Sequence, residues 1–250
     1  MRQPTGRVMH HSFVCLLLCA VFPFSIWLNS PANAQARKTA EQKNSAEFAR
    51  LLERWRKTAD PDEEIVILEE ALKLEGQLKE WSKELPTKGS RQRIKGSLQA
   101  ALGASYQRSR KGNRADNLEK AIAAYERALT VFTREALPRE WAQAQHELGN
   151  AYVNRIDGDP SANFEKAIAA HEAALAVRTR QDLPREWAES QHDLALAYRN
   201  RVRGDHAENL EKAIAAYEAA LTVRTREAMP REWVADSEQS RQRRRSSDTR

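Results

Sequence analysis

Three segments of the chain repeat one another at a fixed spacing. Asn117–Trp141, Asn163–Trp187 and Asn209–Trp233 share most of their residues, and each begins 46 residues after the one before. A weaker copy, Gly96–Arg110, aligns at the same offset further upstream. Such similarity indicates tandem repetition, because a single globular core does not require its parts to resemble one another. We therefore predict an array of like units.

Each unit is predicted to contain two helices of about 18–20 residues. In one unit Pro184 can occupy a first helical position, where its missing N–H costs nothing. Apolar residues then recur with helical spacing until Gly204 and Asp205, and Asn209 precedes a second helix of the same kind. Since one hairpin cannot bury both of its faces, neighbouring hairpins must stack. The predicted fold class is all-α, an α-solenoid of stacked antiparallel helix hairpins.

The first helix of each unit resembles the tetratricopeptide repeat family. Its pattern of Leu, Gly and Tyr has counterparts in three units, at Leu102, Gly103 and Tyr106, at Leu148, Gly149 and Tyr152, and at Leu194, Ala195 and Tyr198. The chain departs from the family in its period of 46 residues rather than about 34. Its Trp also stands four residues early, at Trp141 and Trp187, and Ala195 replaces the Gly. The repeat is similar to an extended variety found in bacterial multi-repeat proteins.

The resemblance covers roughly Gly96 to Trp233 and implies a right-handed superhelix with a concave groove that binds other proteins. Some members of the family hold carboxyl-terminal peptides through a two-carboxylate clamp of Lys or Arg and Asn. At the matching positions of this chain only Asn150 fits, so that clamp is not expected here.

Residues 1–34 have the order of a secretory signal peptide. Arg2 and Arg7 precede an apolar run, Ser12–Leu28, and Ala32 and Ala34 form an A-x-A site. We expect cleavage after Ala34 and export to the periplasm or the medium, with no membrane span after cleavage. The alternative is an uncleaved anchor, although the run is short for a bilayer and contains Pro and Ser.

Export would remove both cysteines, since Cys15 and Cys19 lie inside this segment. The mature chain would then have no disulfide, no thiolate nucleophile and no cysteine-ligated metal site. Loss of Arg2 and Arg7 would also lower the formal net charge from +6 to +4. We expect a mildly basic protein that does not bind nucleic acid.

The predicted repeats are flanked by less regular segments. We expect residues 35–60 to be a polar linker that becomes helical near Ala46–Lys57. A degenerate first repeat follows at 61–115, then two repeats at 116–161 and 162–207, a truncated final repeat at 208–236 and a disordered Arg-rich tail at 237–250. The apolar stripe of Leu210–Val223 would then have no cover, so this end would meet another chain or belong to a longer array.

No enzymatic or cofactor motif stands out from the repeats. The sequence has no G-x-S-x-G, no H-E-x-x-H and no glycine-rich nucleotide loop, so we expect no enzyme, no cofactor and no metal. His146 and His192 occupy equivalent repeat positions, which places them too far apart to share one ion. The segment that begins at Asp157 lacks the Gly and Glu of a calcium loop, and Arg203-Gly204-Asp205 occupies an ordinary repeat loop.

The predicted function is an exported scaffold that binds a peptide or protein partner in its concave groove. The expected contacts are polar residues of the first helices, namely His146, Asn150, Asn154, His192, Arg199 and Asn200. Stacked Arg and Asn side chains would hydrogen-bond an extended acidic peptide, although cations there also suit the carboxyl ends of helices. The alternative is an envelope-associated structural element that uses its open end and Arg-rich tail on anionic surfaces.

Overall fold

The computed structural model describes residues 31–77, 88–225 and 229–247, and the predicted signal segment up to residue 30 lies outside them. Within these ranges the chain forms nine α-helices and no strand. The helices are α1 (Pro31–Lys57), α2 (Pro61–Gln77), α3 (Lys88–Arg108), α4 (Arg114–Leu129), α5 (Pro138–Val153), α6 (Pro160–Leu175), α7 (Pro184–Asn200), α8 (His206–Leu221) and α9 (Pro230–Ser247). The all-helical prediction is confirmed.

Consecutive helices pack pairwise, which confirms the α-solenoid of hairpins. The most extensive contacts join α3 to α4, α5 to α6 and α7 to α8, and we call these hairpins units 1, 2 and 3. The second helix of each unit packs in turn on the first helix of the next. The predicted boundaries at 116, 162 and 208 therefore fall inside second helices, because similarity between copies does not show where a hairpin begins. Packing places the unit starts at Pro138, Pro184 and Pro230.

The second helix of each unit begins after a short loop whose turn and helix cap are held by side-chain hydrogen bonds. In unit 2, Gly158 has a positive φ of 83°, and the Asp159 carboxylate accepts a hydrogen bond from the Ser161 N–H as the helix cap. Asn163 lies one turn inside the helix, where its side-chain amide donates to the Asp157 carbonyl at 3.0 Å. The oxygen atoms of this loop thus serve the turn and the cap. Asn113 and Asp205 cap the equivalent helices of units 1 and 3.

The long period arises from the loops. The helices of units 2 and 3 are 16 or 17 residues long, slightly shorter than expected. The connection at 176–183 ends in Leu183, and the following Pro184 starts α7 as the sequence predicts.

Repeated ion pairs join successive units. The Arg155 guanidinium donates to both carboxylate oxygens of Glu119 on the preceding second helix, at 2.6 and 2.8 Å. Arg201 binds Glu165 in the same way one unit later, at 2.8 and 2.9 Å. Two parallel bonds fix orientation as well as distance, so these pairs set the angle between units.

Glycine permits close helix packing inside a unit. A Cβ atom on Gly149 would lie 2.6 Å from the His171 ring, and one on Gly103 would lie 2.8 Å from the Tyr125 ring. The Leu and Tyr residues of the repeat pattern that surround these glycines are buried or half-buried in the core. Most of the buried apolar side chains of the first two units belong to one continuous cluster with α1 and α2.

Both ends of the stack differ from the sequence-based expectation. Helix α1 begins at Pro31 rather than near Ala46, and it contributes Phe48 and Leu51 to the core. At the other end α9 runs from Pro230 to Ser247, through most of the segment expected to be disordered. It packs on α8, so the apolar stripe of that helix is covered. None of the helices in the described ranges has the length and apolarity that crossing a bilayer requires.

Candidate functional site

A pocket opens between the first helices of the three units. Helices α3 and α5 contact each other directly, as do α5 and α7, so the first helices form one surface of the stack. The pocket on this surface has a volume of about 370 Å³. Its lining comes from these helices and from the start of α4, and comprises Gln107, Arg114, Glu147, Asn150, Val153, Asn154, Asp193 and Leu196.

Two carboxylates give the pocket its character. Glu147 and Asp193 occupy the same position in units 2 and 3, one helix apart. Burial raises the pKa of both carboxyls above their usual values, because a desolvated carboxylate is costly. A hydrogen bond from Asn150 partly counters this rise in the pKa of Asp193. Arg114 is exposed, and its guanidinium donates to the Gln107 carbonyl.

His146 lies behind the pocket rather than in it. Only 1% of its surface is exposed, and its ring lies 3.2 Å from the Ser190 hydroxyl, 3.3 Å from the Asn150 amide and 3.4 Å from the Asp193 carboxylate. Burial, with the nearby Arg178 cation, lowers the pKa of His146 to about 2. The ring is therefore neutral, and its Nε2 lies behind Asn150 and Asp193 rather than in the pocket.

Arg178 is the centre of the buried network between units 2 and 3. It is 2% exposed, and its guanidinium donates to the Ser190 hydroxyl at 2.8 Å, to Gln143 and to the Glu186 carbonyl. Desolvation lowers the pKa of this guanidinium, although neighbouring carboxylates such as Glu189 oppose that shift. Arg178 was not predicted, although the repeat marks the position: units 2 and 3 carry Arg178 and Arg224 there, whereas unit 1 carries Phe132.

The expected groove residues of unit 3 hold α9 in place. His192 Nδ1 contacts the buried carboxylate of Asp236, and the Arg199 guanidinium donates to the Gln239 side chain at 2.7 Å. Asn200 donates to the Leu196 carbonyl of its own helix. These three residues therefore serve packing and helix termination in this structure.

Of the six expected contact residues, the pocket brings together two, Asn150 and Asn154. The amide of Asn154 also donates to the Asn150 carbonyl at 2.8 Å. The two acidic residues were not predicted, because carboxylates are frequent on these helices and their burial depends on side chains from other units. A signal was present, since the position of Glu147 and Asp193 is Ala101 in unit 1 and Gln239 in α9.

His171 is buried on α6 where units 1 and 3 carry Tyr125 and Tyr217. It has no exposed surface, its ring stacks edge-on to His146 at 5.4 Å, and neither ring nitrogen forms a hydrogen bond within the described residues. Burial lowers the pKa of His171 to about 4. The native state therefore binds fewer protons than the unfolded chain below the ordinary pKa of 6.5.

We expect His171→Phe to stabilise the fold by about 1–2 kcal/mol at neutral pH, because two unsatisfied buried nitrogens are removed. The pKa of His171 is lower in the folded chain than in the unfolded chain. Above pH 6.5 the residue is neutral in both states, and its contribution to the free energy of unfolding is fully present. That contribution is lost as the pH falls towards 4, because the unfolded chain binds the proton first. Between these values wild type should lose roughly 3 kcal/mol more than the variant. Urea unfolding across this range measures the difference, and parallel pH curves would refute it.

Within the described ranges, no group of three or more His, Cys, Asp or Glu side chains is arranged to hold a metal ion. The pocket lining offers carboxylate, amide and guanidinium groups that can form ion pairs and hydrogen bonds. No known family matches this chain when it is compared with protein-family models, and no curated protein matches it in a sequence search.

Proposed function

We propose that the chain is an exported tetratricopeptide-like scaffold that binds a peptide or a protein loop on the surface formed by its first helices. The observation that carries this proposal is the pocket, whose lining comes from α3, α5 and α7. No single hairpin contains this lining, so the surface exists only when the units stack.

The rigidity of the stack supports a binding role. The paired Arg155–Glu119 and Arg201–Glu165 bridges hold the units at fixed angles before any partner arrives. A preformed surface loses little conformational freedom on binding, so more of the contact energy appears as affinity. Half-buried Val153 and Leu196 add apolar contact area between the polar groups of the pocket.

A photo-crosslinking amino acid at Val153 tests this function in extracts or secreted fractions of the native source. We expect a discrete adduct from this position, because it lies in the pocket. The matched control places the same group at Glu211, an exposed position on the second helix α8. Equal labelling from both positions, or none from Val153, would contradict the proposal.

A further inference from the structure

The pocket is locally acidic in a chain whose overall charge is positive. The formal net charge of the chain is +6, yet the charged groups that line the pocket are two carboxylates and one guanidinium, that of Arg114, which donates to the Gln107 carbonyl. Within the described residues neither Glu147 nor Asp193 forms an ion pair with Lys or Arg. Glu147 accepts from the Gln143 amide at 2.8 Å, and Asp193 contacts the neutral His146 ring. The neighbouring Glu189, by contrast, lies 3.6 Å from the Arg178 guanidinium.

Burial makes the charged forms of Glu147 and Asp193 costly while the pocket is empty. The pKa of each is raised by desolvation, and the mutual repulsion of Glu147 and Glu189 adds to the rise at Glu147. Arg178 partly opposes the rise in the pKa of Glu147, as His192 and Asn150 do for Asp193, and a cation bound in the pocket would stabilise both carboxylates further. Perturbed carboxyls of this kind are common at functional sites.

The Val153 position of the pocket differs from its equivalents in units 1 and 3. In unit 1 the Tyr125 hydroxyl donates to Gln107 at 2.9 Å, whereas the equivalent His171 has no hydroxyl with which to reach Val153. In unit 3 the position of Val153 is held by Arg199, which supplies a cation of its own. At the position of Val153, unit 2 therefore has neither a phenol partner nor a guanidinium of its own, and the one cation of the lining, Arg114, comes from α4.

The size and the lining suit one long basic side chain. A volume of about 370 Å³ is near the lower limit for ligand pockets, which is roughly 300 Å³. Val153 and Leu196 can contact the methylene stem of Arg or Lys. Asn150 and Gln107 offer amide groups beside the two carboxylates.

We propose that this pocket receives an Arg or Lys side chain from a basic segment of the protein partner. This inference rests on the proposed function and reverses the charge of the peptide that the sequence suggested. The ligand is a guanidinium or ammonium group held by Glu147 and Asp193, with its stem between Val153 and Leu196.

A labelled alanine-based peptide that carries arginines tests the inference by fluorescence anisotropy with the full chain. Its controls are the same peptide with citrulline, which is neutral and nearly isosteric, and with glutamate. The arginine peptide should bind most tightly. Glu147→Gln and Asp193→Asn should each weaken it at least about tenfold, because hydrogen bonds between charged groups contribute that much. Glu211→Gln removes the same charge from an exposed site and should leave affinity unchanged.

Val153→Arg provides a second test that does not depend on the acidic variants folding normally. The equivalent position of unit 3 already carries Arg199, so an arginine is compatible with the repeat. Its guanidinium should pair with the two carboxylates, raise the melting temperature and abolish binding of the arginine peptide. Unchanged peptide binding in this variant would overturn the inference.

The outcomes also separate this inference from the proposed function. Equal binding of the citrulline peptide, preference for the glutamate peptide, or arginine binding that survives loss of both carboxylates would refute the cation pocket. If Val153 still crosslinks specifically to a partner in those cases, the scaffold function stands without it. If neither a peptide nor a crosslinked partner is found, both proposals fail.

Discussion

Replacing Asp236 with Ala is expected to release α9 from the end of the stack and to lower the free energy of unfolding by about 3–5 kcal/mol. Asp236 has no exposed surface. Its two oxygens each lie 3.3 Å from the Arg224 guanidinium, and one of them contacts the His192 ring. The variant leaves the largely buried Arg224 without its carboxylate. An unpaired buried charge destabilises the folded state strongly.

Urea unfolding and limited trypsin digestion measure this effect. Helix α9 carries many arginines, so an undocked α9 should be cut rapidly within Pro230–Ser247. Glu238→Ala is the matched control, because it removes an exposed acid from the same helix. Wild-type stability and wild-type protease resistance in Asp236→Ala would show that the carboxylate does not hold α9.

Arg178→Ala is expected to destabilise the junction of units 2 and 3 by about 3–5 kcal/mol. The change deletes a fully packed side chain and leaves the buried Ser190 hydroxyl without the guanidinium that bonds it at 2.8 Å. Thermal and urea unfolding measure the loss. Arg180→Ala is the control, because this arginine of the same loop is exposed and donates to the Thr222 carbonyl over a long 3.5 Å; its loss should cost far less.

A transplant from unit 1 should recover most of that loss. In unit 1, Phe132 packs near Ala144 and above Gly96, where a Cβ atom would lie 2.5 Å from the phenyl ring. The equivalent residues of unit 2 are Ala142, Arg178 and Ser190. We combine these positions in the triple variant Ala142→Gly, Arg178→Phe and Ser190→Ala. Its loss in free energy of unfolding should be smaller than the sum of the losses in the three single variants, because apolar packing can replace a buried ionic network. Strict additivity would show that the two junctions are not interchangeable.

The three junctions become more polar along the chain. The first junction is apolar, with Phe132 beside Ala144; the second joins Arg178 to Ser190; and the third joins Arg224 to Asp236. The three sets occupy equivalent repeat positions, so the similarity of the copies hides a different chemistry at each interface. The Arg224–Asp236 pair accounts for the docking of α9, although the sequence of that helix is rich in charged residues.

The repeated sequence determined the helices and the fact that they stack. Helix starts at Pro184 and Asp60-Pro61 followed from local chemistry, since a proline at the first turn and a capping carboxylate act on the nearest backbone groups. The apolar spacing of each copy required a neighbour to cover it, whichever neighbour that was.

Only the tertiary structure decided the phase of the hairpins and the contents of the site. Nothing in the sequence alone distinguishes Asn150, which lines the pocket, from His146, which lies buried one turn away behind it. The reason is physical: helical periodicity reports which face a residue occupies, whereas burial and charge pairing depend on side chains brought in from other units. Glu147 and Asp193 come from different helices, so their shared pocket exists only once α5 and α7 lie side by side.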